Sequence, residues 1–194
     1  YFLALNFIGY GRDYFAITLV KKKEIDAKKY IYLEKYKVFH TKQSDEELLE
    51  EILKMLGKIK DVSISVESIG ENVGVKFYSL LKSSFDSVFS YLPGEKPSDM
   101  RKHGNIKSEY YDEFKTMLKE GRFSYKKIDE KFLQEFRNIP FSYEEKNRLS
   151  ILKLDMFEGI GLSPPSIIDS IVSVLPFYGL KKDKCEILDI IKSY

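Results

Sequence analysis

The chain has 194 residues, 43% apolar and 32% charged, with a net charge of +2. That composition describes one globular domain and excludes both a disordered chain and a polycation built around nucleic acid. No apolar stretch approaches the ~18 residues of a membrane span, and no basic segment precedes the first strand, so neither a membrane anchor nor a signal peptide is expected.

One cysteine and two histidines exclude an intramolecular disulfide and make a Cys/His zinc centre untenable. Carboxylate oxygens are then the ligands of any metal, and Mg or Mn is the metal they suit.

Tyr1 to Ile8 is almost continuously apolar and reads as a strand buried on both faces. Gly9-Tyr-Gly11 supplies a tight turn, and Asp13 to Val20 returns as a second strand rich in β-branched and aromatic residues. Asn6 is the one polar side chain within the first strand. Lys21 to Lys29 reads as a solvated turn, and Tyr30 to His40 as a third strand. Ser44 with Glu47 three residues on is a capping box. The helix it opens carries Leu48, Leu49, Ile52, Leu53 and Leu56 on one face and stops at Gly57. Asp61 to Glu67 is a short strand ending on a carboxylate. Val73 to Leu81 is a helix, and Phe85 to Leu92 a weaker strand. Three consecutive strands followed by helix-strand units predict an α/β fold, a mixed sheet flanked by helices.

Pro93 to Ile106 is the least regular region. Around it gather Lys96, Arg101, Lys102, His103 and Lys107, which suit a solvated loop or contacts to a phosphate backbone. Ser108 to Glu120 is an amphipathic helix, Arg122 to Tyr125 an extended piece, and Asp129 to Arg137 a further helix. Phe141–Tyr143 and Leu149–Leu152 form a hairpin. Ser163 is an N-cap and Pro164 a first helical position, opening a helix that runs to Leu175 and ends at Pro176. Lys181 to Lys192 is a last amphipathic helix.

Three positions carry potential chemistry: Asn6 mid-strand, Glu67 at a strand's carboxyl end, and Asp169 early in an apolar helix. Carboxylates meeting at one edge of a mixed sheet can hold two hard divalent ions about 3.5–4 Å apart, an arrangement suited to phosphodiester hydrolysis.

The order of parts resembles the nuclease domain of viral large terminases. The resemblance lies in Ala4-Leu-Asn-Phe-Ile-Gly-Tyr-Gly-Arg-Asp-Tyr-Phe-Ala-Ile17, Ser65-Val-Glu-Ser-Ile-Gly-Glu-Asn-Val-Gly-Val75, Met117-Leu-Lys-Glu-Gly-Arg122, Phe132-Leu-Gln-Glu-Phe-Arg-Asn-Ile139 and Gly161-Leu-Ser-Pro-Pro-Ser-Ile-Ile-Asp-Ser170. Each motif is loose; five in order are more specific, and they span about residues 1–176. The resemblance implies an RNase H-like fold and an endonuclease that cuts concatemeric double-stranded DNA with two Mg or Mn ions. Asn6, Glu67 and Asp169 would be the catalytic and metal-holding positions; Asp13 on the neighbouring strand, read from its own place in the sequence, suits either a further carboxylate ligand nearby or a turn salt bridge with Arg12 or a lysine. It also implies an ATPase domain ahead of this one, a portal and a small terminase subunit as partners, and the host cytoplasm during virion assembly as the location. On this basis the 194 residues are expected to be one nuclease domain cut from a longer chain.

Two departures matter. The family's first catalytic Asp falls on Asn6, which removes a negative charge, and an acid one turn before Asp169 is here Ser166. A related RNase H-fold enzyme, such as a junction resolvase or a transposase-like nuclease, is the first alternative; a non-catalytic DNA- or protein-binding module on the same fold, which Asn6 favours, is the second.

Overall fold

The structure is a computed structural model that describes residues 1–8, 14–39, 44–68, 73–139, 141–144, 147–151 and 165–178. Its centre is a six-stranded sheet. The strands are β1 (Phe2–Ile8), β2 (Tyr14–Ile25), β3 (Lys28–Phe39), β4 (Ser63–Glu67), β5 (Val88–Tyr91) and β6 (Phe123–Tyr125), in spatial order β5-β4-β1-β2-β3-β6. The first three strands are antiparallel; β4 joins β1, β5 joins β4 and β6 joins β3 in parallel. The sheet is therefore mixed and flanked by helices, as the element order predicts.

Strand β2 is longer than the sequence suggests. The lysine-rich stretch expected as a turn is mostly ladder: Lys21 to Ile25 pair with Lys28 to Tyr32. The turn shrinks to Asp26 and Ala27, both at positive φ (50° and 57°), the twist that suits a two-residue hairpin. Charged side chains mark these strands as solvent-facing, but backbone pairing, not apolarity, continues them. The Lys22 ammonium also lies over the Phe2 ring, 4.8 Å from its centre, a cation–π contact.

Helix α1 (Asp45–Leu56) carries the capping box in full: Ser44 accepts from the Glu47 N–H, and the Glu47 side chain accepts from the Ser44 N–H. Gly57 closes the helix at φ +57°. Helices α2 (Val73–Lys82), α3 (Ile106–Lys119) and α4 (Glu130–Arg137) follow, with the expected hairpin of β7 (Phe141–Glu144) and β8 (Arg148–Ile151). Helix α5 (Ser166–Val172) is shorter than expected. It ends before Pro176, which lies in a separate 3-10 turn, Leu175–Phe177. The expected cap at Ser163 and Pro164, the first turn at residues 9–11, Asp13 and the last helix all lie outside the described residues.

Alternation along β1 divides the core in two. Leu3, Leu5 and Phe7 face α1 and α2 with Ile52, Val66 and Phe77. Phe2 and Ala4 face the other way, onto Ile167, Ile168 and Ile171 of α5 and onto Tyr111, Phe114 and Phe132. Helix α5 is buried along its whole length and lies across β1 and β2. Small Ala4 lets it approach the sheet closely, and the Ser65 hydroxyl on β4 donates to the Ser173 carbonyl just past its end (2.9 Å). Enlarging this floor is destabilising because a filled core has no room to yield. Ala4→Leu is expected to cost about 1–3 kcal/mol in urea unfolding, and an unchanged midpoint would refute close seating of α5.

Candidate active site

Strand register builds the first half of the site. Leu5 of β1 lies opposite Val66 of β4 in a parallel pair. The next residues, Asn6 and Glu67, therefore stand side by side at the carboxyl end of both strands, on the face that α5 covers. The Asn6 Nδ2 donates to the Glu67 Oε2. Both side chains are buried. Among the described residues the Asn6 Oδ1 finds no hydrogen-bond partner, so a buried oxygen acceptor is left unused there.

Helix α5 brings the other half. Asp169 lies one turn into α5, buried at 6% exposure. The Tyr111 hydroxyl donates to its Oδ1, and the Lys107 ammonium lies 2.8 Å from its Oδ2. Lys107 and Tyr111 are four residues apart on α3, hence on one face.

Electrostatics ties the two halves together. Burial raises the Glu67 carboxyl to about 8; the Lys107 charge opposes that rise and the Asp169 charge adds to it. Burial would lower the Lys107 ammonium, but Asp169 and Glu67 more than offset this and hold it above its ordinary value. Lys107 is thus the shared counter-ion of two buried carboxylates. The Tyr91 hydroxyl, buried and without a hydrogen-bond partner among the described residues, is pushed well above its usual range, first by burial and then by the Glu67 and Asp169 charges.

The expected basic segment divides in the structure. Lys96, Arg101 and Lys102 are exposed, with Arg101 and Lys102 held 3.5 and 3.7 Å from Asp99. His103 is buried, its Nε2 3.3 Å from Asp112. Lys107 leaves the segment altogether. Asn105 caps α3 by accepting from the Ser108 N–H, which starts the helix two residues earlier than expected and turns Lys107 inward. Asn105 is itself a cap signal, but the irregular composition around it masks the helix start. Tyr111 and Tyr91 do not stand out in the sequence; the i, i+4 spacing of Lys107 and Tyr111 is the one clue it offers.

Among the described residues, no three His, Cys, Asp or Glu side chains gather as a metal cluster. Two carboxylates and the free Asn6 oxygen form an all-oxygen donor set, which fits a hard divalent ion. It is one anionic ligand short of the three-carboxylate arrangement that the resemblance implies.

The sheet order, the crossing helix and the site at the carboxyl end of β1 and β4 define an RNase H-like fold. Solved structures similar to it include large terminases of bacteriophages. A large terminase from a thermophilic bacteriophage matches with a TM-score of 0.63 at 11% identity, over 91% of this chain and 39% of that protein. The chain thus spans about two fifths of that terminase. The nuclease domain of the large terminase subunit gp2 of bacterial virus Sf6 matches with a TM-score of 0.63 at 13% identity, over 88% of this chain and 85% of that one. The large terminase nuclease of thermophilic phage G20c, with bound magnesium, matches with a TM-score of 0.58 at 12% identity, over 89% and 78%. At these identities the likeness is one of fold. No protein-family model and no curated protein sequence matches the chain.

Removing Lys107 leaves two buried acids without a counter-ion. Lys107→Met is expected to cost about 3 kcal/mol, measured by denaturant unfolding without divalent ions. The cost should vary with pH. A carboxyl raised in the fold contributes stability that is complete below its unfolded value and lost as pH rises through its folded value. Glu67 loses the restraint of Lys107 in the variant and rises beyond about 8. The destabilisation should therefore be larger at pH 9 than at pH 6; equal losses at both would refute the shared counter-ion.

Proposed function

We propose that this chain is the nuclease domain of a viral genome-packaging terminase and hydrolyses phosphodiester bonds of double-stranded DNA with a divalent metal. The observation that carries the reading is the meeting of Glu67, Asp169 and Asn6 at the carboxyl end of the central strands. The structures with bound magnesium and, for the SPP1 nuclease domain, bound Mn support metal use by this fold.

Glu67, Asp169 and the Asn6 oxygen would hold the metal, which supplies Lewis acidity toward phosphate oxygens when bound. The chain's own residues do the arranging. The Asn6 amide orients Glu67. Tyr111 and Lys107 fix the two oxygens of Asp169. Lys107 also places positive charge where an anionic phosphodiester approaches two carboxylates that would repel it. A pair of ions calls for more negative charge than this donor set offers, so a full two-ion site would require Asp at position 6. The partners proposed with this reading are a terminase ATPase domain, a portal and a small terminase subunit, working in the host cytoplasm.

Asn6→Asp is the direct test. It should strengthen Mn binding roughly tenfold, the scale on which ligand charge tunes hard-cation sites, and should raise Mn-dependent nicking of plasmid DNA. Glu67→Gln and Asp169→Asn should abolish nicking in that background. If Asn6→Asp gains neither Mn affinity nor cleavage, position 6 is no metal ligand and a non-catalytic binding module becomes the better reading.

DNA contact should be electrostatic and indifferent to sequence. Replacing Arg101 and Lys102 together by Ala should flatten the fall of log affinity with log salt by up to about 1.8, from ~0.9 per phosphate neutralised. An unchanged slope would remove these two residues from the DNA surface.

A further inference from the structure

Helix α5 begins without a cap of its own. Pro165 occupies the cap position and provides no side-chain hydrogen bond, so the first N–H groups of a wholly buried helix must find acceptors elsewhere. They find them on α4. The Glu135 Oε2 accepts from the backbone N–H of Ile167 (2.8 Å) and of Ile168 (3.2 Å), and its Oε1 accepts from the Ser166 hydroxyl (3.0 Å). Glu135 is itself buried. Its three bonds end on the three residues that immediately precede Asp169. Helix α4 also packs against α5, and Phe132, one turn before Glu135, belongs to the same core cluster as Ile167 and Ile168.

We infer that Glu135 is a positioning residue for the active site: a cap supplied from a separate helix that sets the rotation and depth of α5, and so aims Asp169 at Lys107, Tyr111 and Glu67. A seven-residue helix has little intrinsic stability, so its end is fixed by what grips it. Sliding or turning α5 by a fraction of a residue would withdraw the Asp169 carboxylate from both of its donors. In metal centres, groups that orient the ligands weaken metal binding about 10–100-fold when removed. The functional meaning of this inference rests on Asp169 acting as a metal ligand; its geometric content does not.

The test compares reach with charge. Glu135→Gln keeps the length of the side chain, and its amide oxygen can still accept from Ile167 and Ile168. Glu135→Asp keeps the charge but falls one methylene short. The first measurement is metal-free: the carboxyl carbon signal of Asp169 by NMR, with amide exchange at Ile167 and Ile168, and amides of α1 as the folding control. Glu135→Gln should leave the Asp169 signal close to wild type. Glu135→Asp should shift it and speed exchange at Ile167 and Ile168, with α1 unaffected. The second measurement is Mn affinity by titration calorimetry, which should fall at least about tenfold in Glu135→Asp and little in Glu135→Gln. An Asp169 signal that stays in place in Glu135→Asp, or moves as far in Glu135→Gln, overturns the inference. Should the wild-type chain bind no Mn, the metal reading fails, and the carboxyl signal still decides whether Glu135 positions Asp169.

Discussion

Two buried carboxylates held around one ammonium are the constraint on which this structure turns. Glu67 and Asp169 reach the same place from opposite layers, one from the sheet and one from the helix above it. Placing two ionised acids together in an apolar interior is prohibitive without compensation. Burial pushes the Glu67 carboxyl up toward its neutral form, and Lys107 pairs with Asp169, which ties α3 to α5. Tyr111, one turn further along α3, then falls against the second oxygen of Asp169. Sheet, α3 and α5 are thus mutually located by one cluster of charge.

The scaffold around that cluster follows from plain packing rules. Period-two alternation gives β1 two apolar faces, and each is covered by its own set of helices. The face toward α5 carries small side chains where the helix must come near, and Asn6 and Glu67 stand next to each other on it because β1 and β4 are parallel and in register. Asn6 serves the arrangement as it stands: an amide can donate to Glu67, which an ionised carboxylate there could not. The amide at position 6 thus steadies Glu67 without calling on any further partner.

Much of the fold is legible in the sequence because it is local. The apolar run of β1, the capping box at Ser44 and Glu47, Gly57 and the β7-β8 hairpin all depend on residues a few places apart. The misreadings occur where distant backbone decides. The lysine-rich end of β2 has no strand pattern; it is extended because β3 offers it a ladder. The contacts that Glu135 of α4 makes to the start of α5 cannot be read from the sequence around either helix. Lys107 reads as a solvent-facing member of a basic segment, since nothing nearby in sequence shows that Asp169 awaits it. Asn6, Glu67 and Asp169 are noticeable as polar residues in apolar elements, whereas Tyr91, Tyr111 and Glu135 sit in amphipathic surroundings where a polar atom attracts no notice.

The antiparallel start of the chain and the seating of α5 across β1 have a consequence for assembly. The first strand precedes its covering helix by about 160 residues, and the intervening β4 also pairs with it across a long separation. Such non-local contacts cost loop-closure entropy before they return any stabilisation. Folding is therefore expected to leave the Asn6 face of β1 open until late, and the charged cluster closes only with that last step. A chain cut short before residue 166 would keep every strand described here but lose Asp169 and the helix that carries it, so that the charged cluster is completed only when α5 docks.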